Sequence, residues 1–372
     1  MPGVPDGLLR RLPAPRGEEL DVVCFLGDYI YELEASIEAR PHGLAVPRTL
    51  DEYRTYYALN KTDPDLQAAH AAHPWIVTWD DHEVEDNYAG LRPGRIGGGE
   101  ETAADFPARR AAAYRAFWEH LPIRVEAPEG PDLTIYRSFT FGDLLQMAVL
   151  DTRQYRTPQP TGEGFGDFPR ILGGGPQLPG AFDEAATLLG PEQEAWLEDL
   201  LSSSTARWNI VAQQSVMAEV DRAPDDPDKG FSMDSWDGYV AARRRLLGFV
   251  AAEGVTNLVS LGGDIHTSAV TDLRADYHDP ASPVVGTELV APSISALELL
   301  PEGYAEGALS APHIHLFDPE RRGYLRCDVD RDRIRADYRL GSTILEPTAA
   351  IETASSWVIG SGTPGARRVG EG

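Results

Sequence analysis

Four apolar runs of the chain stop at groups able to hold a cation. Asp28 follows Leu20–Leu26, Asp81-His82 follows Trp75–Trp79, Gln213-Gln214 follows Trp208–Ala212, and Asp264-x-His266 follows Thr256–Leu261. Taken singly, a strand-end Asp is expected to cap the turn or helix after it. Recurrence at several strand ends, with His near Asp twice, points to a shared metal site. Loops at the carboxyl ends of strands in an α/β sheet converge on one crevice. In Gly27-Asp28-Tyr29-Ile30-Tyr31-Glu32 a phenol follows the carboxylate by three residues, which places Asp28 and Tyr31 on one side of a turn. A phenol of pKa about 10 serves as a ligand only to a strongly Lewis-acidic centre such as ferric iron. The competing reading makes Tyr29 and Tyr31 core aromatics.

The elements that must position these groups are short. Leu20–Leu26 and Trp75–Trp79 read as strands covered on both faces, because their apolar residues run without alternation. A helical stretch from Leu50 to His73 breaks at Pro64, and Ala103–His120 reads as an amphipathic helix with Tyr114, Phe117 and Trp118 turned inward. Leu133–Phe141 and Leu144–Leu150 suggest a hairpin turning at Gly142-Asp143, the second strand ending at Asp151-Thr152-Arg153. Gly94–Gly99 reads as a surface loop and Thr157–Gly190 as a lid or insertion, being too long for a routine connection. Pro191 opens a helix that leads to the strand Trp208–Ala212, and Trp236–Glu253 forms another helix before Thr256–Leu261. The last third alternates without clear helices through Gly323–Val329 and Arg333–Leu340, and the tail after Thr353 is expected to fray. The order is α/β, then mostly β. It is divided into a poorly structured leader (1–19), one domain (20–345) and a C-terminal tail (346–372).

Composition narrows the function. With 33 Lys+Arg against 59 Asp+Glu, the 372-residue chain carries a formal charge of −26, which argues against nucleic-acid or anionic-membrane surfaces as partners. A small phosphorylated molecule can still dock where a metal supplies local positive charge. The 42% hydrophobic content supports a sizeable core, and no apolar run approaches the ~18 residues of a membrane span. The two cysteines, Cys24 and Cys327, are expected to be buried free thiols, with a disulfide between them as the alternative. The N-terminus has basic residues without an apolar stretch after them, so it reads as no secretory signal and leaves the compartment unknown. Oligomeric state is not readable.

GDYIYE, WDDHEVEDNY, LDTRQYR, AQQ, MDSWDGY, GGDIH, APSIS and RGYLRCDV, in order from Asp21 to Tyr338, together resemble the PhoD-type alkaline phosphatases and phosphodiesterases of the metallophosphoesterase superfamily. The resemblance implies an αββα sandwich of two mixed β-sheets flanked by helices, and metal-dependent hydrolysis of phosphate mono- or diesters. Aligned with the related purple acid phosphatases, Asp28 would bridge two metals, and Tyr31 and His266 would bind ferric iron. Asp81, Asp264 and Gln213 or Gln214 would face the second ion. That second set is hard oxygen, which suits Ca2+ better than Zn2+. Fe3+ and Ca2+ are therefore expected, with Mn2+, Mg2+ or Zn2+ as alternatives.

His82 is the candidate to hydrogen-bond the phosphoryl group and protonate the leaving alkoxide; the competing reading is an imidazole that orients a carboxylate. Arg153 has the planar fork of a phosphate clamp, although an internal salt bridge with Asp151 is the stronger expectation. Asp80 and Asn87 are expected to support the ligands, and Trp236, Asp237 and Tyr239 to pack beside them. PhoD-type chains usually carry an export signal, a β-rich N-terminal domain and a strand ending in Ser-Cys-Gln whose cysteine binds iron, none of which is in this sequence. The alternative function is accordingly a truncated, catalytically impaired remnant that binds metal or phosphoester.

Overall fold

The computed structural model describes residues 18–32, 43–94, 104–160, 175–226, 230–296, 303–344 and 349–370. Two short parallel strands, β1 (Val23–Phe25) and β2 (Trp75–Val77), pair with Cys24 opposite Ile76. Between them in sequence lie α1 (Leu50–Asn60) and α2 (Pro64–Ala72). The break between these helices is built by Asp63, whose carboxylate accepts the N–H groups of Asp65 and Leu66, and by Pro64 in the first turn. Next comes α3 (Phe106–His120), which begins after the expected Ala103 start and buries Tyr114 and Phe117 but only half-buries Trp118. Trp79 stacks on Tyr114 with centroids 3.9 Å apart, and this aromatic cluster joins β2 to α1 and α3.

The main sheet has seven strands: β3 (Arg137–Phe141), β4 (Leu145–Val149), β5 (Trp208–Ala212), β6 (Leu258–Gly262), β7 (Ser268–Arg274), β8 (Val284–Val290) and β9 (Ile314–Asp318). Its order is β3-β4-β5-β6-β8-β7-β9. The strands β4, β5, β6 and β8 run parallel, so the residues after β4, β5 and β6 emerge at one edge of the sheet. That shared direction gathers Asp151, Gln213 and Asp264. The crossovers are α4 (Pro191–Ser202) and α5 (Val240–Glu253), which cover the outer face of the sheet. A short 3-10 turn at Trp236–Gly238 stands where the helix was expected to begin.

The inner face packs on a third sheet of β10 (Gly323–Val329), β11 (Arg333–Gly341), β12 (Ile351–Gly360) and β13 (Thr363–Arg368), all antiparallel. The sheets are thus packed together and flanked by helices, α4 and α5 on the outer face of the main sheet and α1 and α3 beside β1 and β2, as the resemblance implied. No helix among the described residues is long and apolar enough to cross a membrane.

Three expectations from the sequence do not hold. Residues after Thr353 form β12 and β13, because Trp357, Ile359 and Ala366 point into the inter-sheet core while a Gly360-to-Gly362 turn joins the two strands. A six-residue helix, α6 (Tyr304–Leu309), interrupts the otherwise β-rich last third. Neither cysteine is in a disulfide, as expected, but Cys24 is only half-buried and Cys327 is exposed. Residues 1–17 of the leader, 95–99 of the glycine loop and 161–174 of the expected lid lie outside the described residues. Glu18 is anchored by Tyr324, Arg326 and Arg339, and Thr157 and Thr187 hydrogen-bond across the base of the long insertion at 2.9 Å.

One buried carboxylate away from the strand-end cluster sets a pH dependence. Glu288 of β8 accepts the N–H groups of Met217 and Ala218 and lies within reach of Thr271 and Ser260, and burial raises its pKa from 4.5 to about 7. Between those values the folded chain holds a proton the unfolded chain has released, so its contribution to stability is lost as pH rises toward 7. Glu288→Gln is expected to flatten the fall in stability between about pH 5 and about pH 8, measured as urea midpoints. An unchanged slope would show that Glu288 titrates normally.

Candidate metal centre

The first carboxylate is placed by a sharp reversal after β1. Gly27 has φ +123°, and a Cβ there would sit 2.5 Å from the Cβ of Asp80, so only glycine lets the two strand ends approach this closely. The next residue, Asp28, is itself left-handed at φ 57°, as are Asp264 (67°) and His266 (51°). Non-glycine residues rarely adopt this region, and its use at three candidate ligands marks backbone held in place by its surroundings. Glu83 supplies part of that hold. Its carboxylate accepts the N–H of Asp28 at 3.0 Å, of Tyr29 at 2.5 Å and of Asp80 at 2.7 Å, tying the ends of β1 and β2 together.

These turns bring distant residues into one cluster. The phenol of Tyr31 donates to Asp28 Oδ2 at 3.2 Å and lies 2.8 Å from His266 Nε2. Asp28, Asp81 and His82 each offer an atom within 4.8 Å of the others, and Asp80, Asp81 and Asp264 do the same. Asp81 belongs to both groups. Asp264 accepts from Ser215 Oγ at 3.0 Å, and Asn87 N–H donates to Asp81 Oδ2 at 2.6 Å. A cavity of about 990 Å3 opens onto Asp28, Tyr31, Asp264 and His266 and extends between Cys24 of β1 and Cys327 of β10.

The electrostatics show how crowded the carboxylates are. Burial raises Asp28 and Asp80 well above the ordinary range and Asp264 to about 6, with neighbouring carboxylates adding to the effect. Asp81 is the exception: burial works against its charge, but Arg153 and His82 outweigh it and the pKa falls to about 2. Burial and Asp28 together raise the Tyr31 phenol. Asp28 Oδ1, Asp80 Oδ2 and Asp81 Oδ1 are buried without a hydrogen-bond partner. Such oxygens are costly unless something positive meets them, so the donor set fits hard cations.

Of the residues singled out from sequence, Asp28, Tyr31, Asp81, His82, Asp264 and His266 come together, whereas two others do not behave as expected. Gln213 turns away: its amide bonds Ser215, lies 3.2 Å from Trp236 Nε1 and 3.4 Å from Glu288. Gln214, the other option, spends its amide on Thr152, Thr78 and the Leu150 carbonyl. Both glutamines brace the strand ends.

Arg153 makes no side-chain salt bridge with Asp151, which caps its own turn by accepting the N–H groups of Arg153 and Gln154 at 3.0 Å each. The fully buried guanidinium instead bonds Asp80 and meets Asp234 at 2.7 Å, Asp264 at 3.3 Å and Asp81 at 3.6 Å. Asp80 is thus part of the cluster, not merely beneath it.

Sequence reasoning missed Asp234 and Glu32. Asp234 lies in the MDSWDGY segment, of which only Trp236, Asp237 and Tyr239 carry a sequence-based expectation; it pairs with Arg153 and Arg156. Glu32 lies one residue beyond Tyr31 and meets His82 Nδ1 at 2.7 Å. A run such as DTRQYR, with two arginines at the end of a buried strand, is the signal that calls for a carboxylate like Asp234.

Several sheets flanked by helices, with an acid cluster where their strands end, agree with the fold that the sequence resemblance implied. Residues 3–338 match the PhoD-like phosphatase family. Alkaline phosphatase D of Bacillus subtilis (strain 168) is 41% identical over 362 residues, which is 95% of this chain and 60% of that protein. A solved structure titled "Structure of PhoD" superposes with a TM-score of 0.87 at 39% identity, covering 98% of this chain and 69% of that one. The chain belongs to the PhoD-like phosphatase family, and it spans about 60% of the length of the curated relative it matches.

Proposed function

We propose that this chain hydrolyses phosphate mono- or diesters at a centre of two cations. The observation that carries this is the convergence of Asp28, Asp80, Asp81 and Asp264 in two groups that share Asp81, with Asp28 Oδ1, Asp80 Oδ2 and Asp81 Oδ1 buried without a hydrogen-bond partner. Asp28, Tyr31 and His266 would hold one ion and Asp81 and Asp264 the other, with Asp28 between them. Phenol and imidazole favour Fe3+ on the first side and hard oxygen favours Ca2+ on the second. When bound, the ions polarise the phosphoryl oxygens and make a water nucleophilic near neutral pH.

The chain's own residues do the rest. In this reading His82, at the edge of the cluster, hands a proton to the departing alkoxide. Arg153 is wholly enclosed by carboxylates, so its role is to hold Asp80, Asp81 and Asp264 in register, not to clamp substrate. The remnant alternative is not favoured: the candidate ligands converge, and the family match covers nearly the whole chain.

Tyr31→Phe tests the first ion. The chain loaded with Fe3+ and Ca2+ is expected to show a visible phenolate-to-iron band and to hydrolyse an aryl phosphate. The variant is expected to lose the band and at least about 10-fold in turnover. A band of full strength in Tyr31→Phe would remove Tyr31 from the centre.

A further inference from the structure

Glu32 is fully buried and uses both carboxylate oxygens at the edge of the cluster: Oε2 meets His82 Nδ1 at 2.7 Å, and Oε1 accepts the N–H of Asp86 at 2.7 Å. Its backbone is fixed as well, because Tyr56 donates its hydroxyl to the Glu32 carbonyl at 3.0 Å. The imidazole it meets is confined on its other sides. The ring of Tyr31 lies 4.3 Å away between centroids, and Asp86 Oδ1 is 3.7 Å from His82 Nε2. We infer that Glu32 is a positioning residue for the reaction: it holds His82 with Nδ1–H turned to its own carboxylate, so that Nε2 is the nitrogen presented to the ester leaving group.

This inference rests on the hydrolase reading. A carboxylate on Nδ1 fixes ring orientation and tautomer and stabilises the imidazolium. As water oxygen forms its bond to phosphorus and the ester P–O bond breaks, the Nε2 proton passes to the departing oxygen, and the proton lost by the water goes to solvent. The benefit depends on the leaving group. An alkoxide needs the proton, whereas a nitrophenolate leaves without it. A purely structural Glu32 would affect both alike.

The experiment compares Glu32→Gln with the wild type, both metal-loaded, on ethyl phosphate and on p-nitrophenyl phosphate. Expected is a loss in kcat of on the order of 10²-fold for ethyl phosphate against less than about 5-fold for the aryl ester, with KM little changed. In parallel, 15N-histidine spectra of the metal-free chain should contain a protected Nδ1–H resonance that is assigned by its loss in His82→Ala and that also disappears in Glu32→Gln. Equal losses on the two esters, or survival of that resonance in Glu32→Gln, would overturn the inference. If Glu32→Gln does not fold, Glu32→Asp, which withdraws the carboxylate by one methylene, is read by the same two criteria. A wild type inactive on both esters overturns the hydrolase reading and this role with it; equal losses in active proteins overturn the role of Glu32 alone.

Discussion

Asp28→Asn is expected to abolish metal retention and turnover while leaving the fold intact or slightly more stable. Asp28 lies between Tyr31 and the Asp81 side of the cluster, and its Oδ1 is buried with no partner. An amide in its place supplies one neutral oxygen where a cation calls for charged ones. Loss of groups that merely support metal ligands commonly costs 10- to 100-fold, so loss of a shared ligand should exceed about 10²-fold in turnover. Stability should move the other way. Burial and the neighbouring Asp81, Asp80 and Glu83 all disfavour ionised Asp28, and Asn removes that conflict. Asn also tolerates the left-handed backbone that the position demands. Metal content by mass spectrometry, thermal midpoints and turnover on the same preparations check this. Retained metal with retained turnover would remove Asp28 from the site.

Arg153→Met is expected to have the largest effect on stability. Its guanidinium is fully buried among Asp80, Asp81, Asp234 and Asp264, and its loss leaves Arg156 to offset Asp234. Removing one side of a buried ionic network destabilises by about 3–5 kcal/mol, because the remaining charges stay enclosed without compensation. Cations bound to Asp80, Asp81 and Asp264 would substitute in part for the lost charge, and any ligand of the folded state raises apparent stability. Urea unfolding should therefore show a large loss in chelator that is partly recovered in millimolar Ca2+, with a smaller Ca2+ effect on the wild type. Equal stability of the two proteins in chelator would contradict the arrangement.

Much of this site was legible because strand-end chemistry is local. Apolar runs such as Trp208–Ala212 announce buried strands, and the residues directly after such a run must emerge at the sheet edge; hence Asp28, Asp81, Asp264 and His266 could be named from residue type and position. Side-chain direction was not legible. Gln213 has the residue type of a ligand, but whether its amide faces a cation or Glu288 depends on the twist of β5 against β8 and on the nearby Trp236. For Arg153 the sequence offered the adjacent Asp151, whereas the fold offered four carboxylates from three distant segments. Glu32 was hidden because a charged residue just past a strand end ordinarily faces solvent. Its burial comes from the return of the His82 segment beneath it and from Tyr56 on α1. The tail was hard to read for a similar reason: Ser and Gly dominate its appearance, while the spacing of Trp357 and Ile359 carries the strand signal.

The central claim is that residues from the ends of separate strands form one cage for two cations and that the cage hydrolyses phosphoesters. Metal stoichiometry and turnover on p-nitrophenyl phosphate, measured on the same reconstituted chain before and after chelation, test it most directly. Two bound ions per chain, with turnover lost on chelation and restored on reloading, is the expected result. Turnover that persists in metal-free protein, or two tightly held ions with no hydrolysis of any phosphoester, would contradict it.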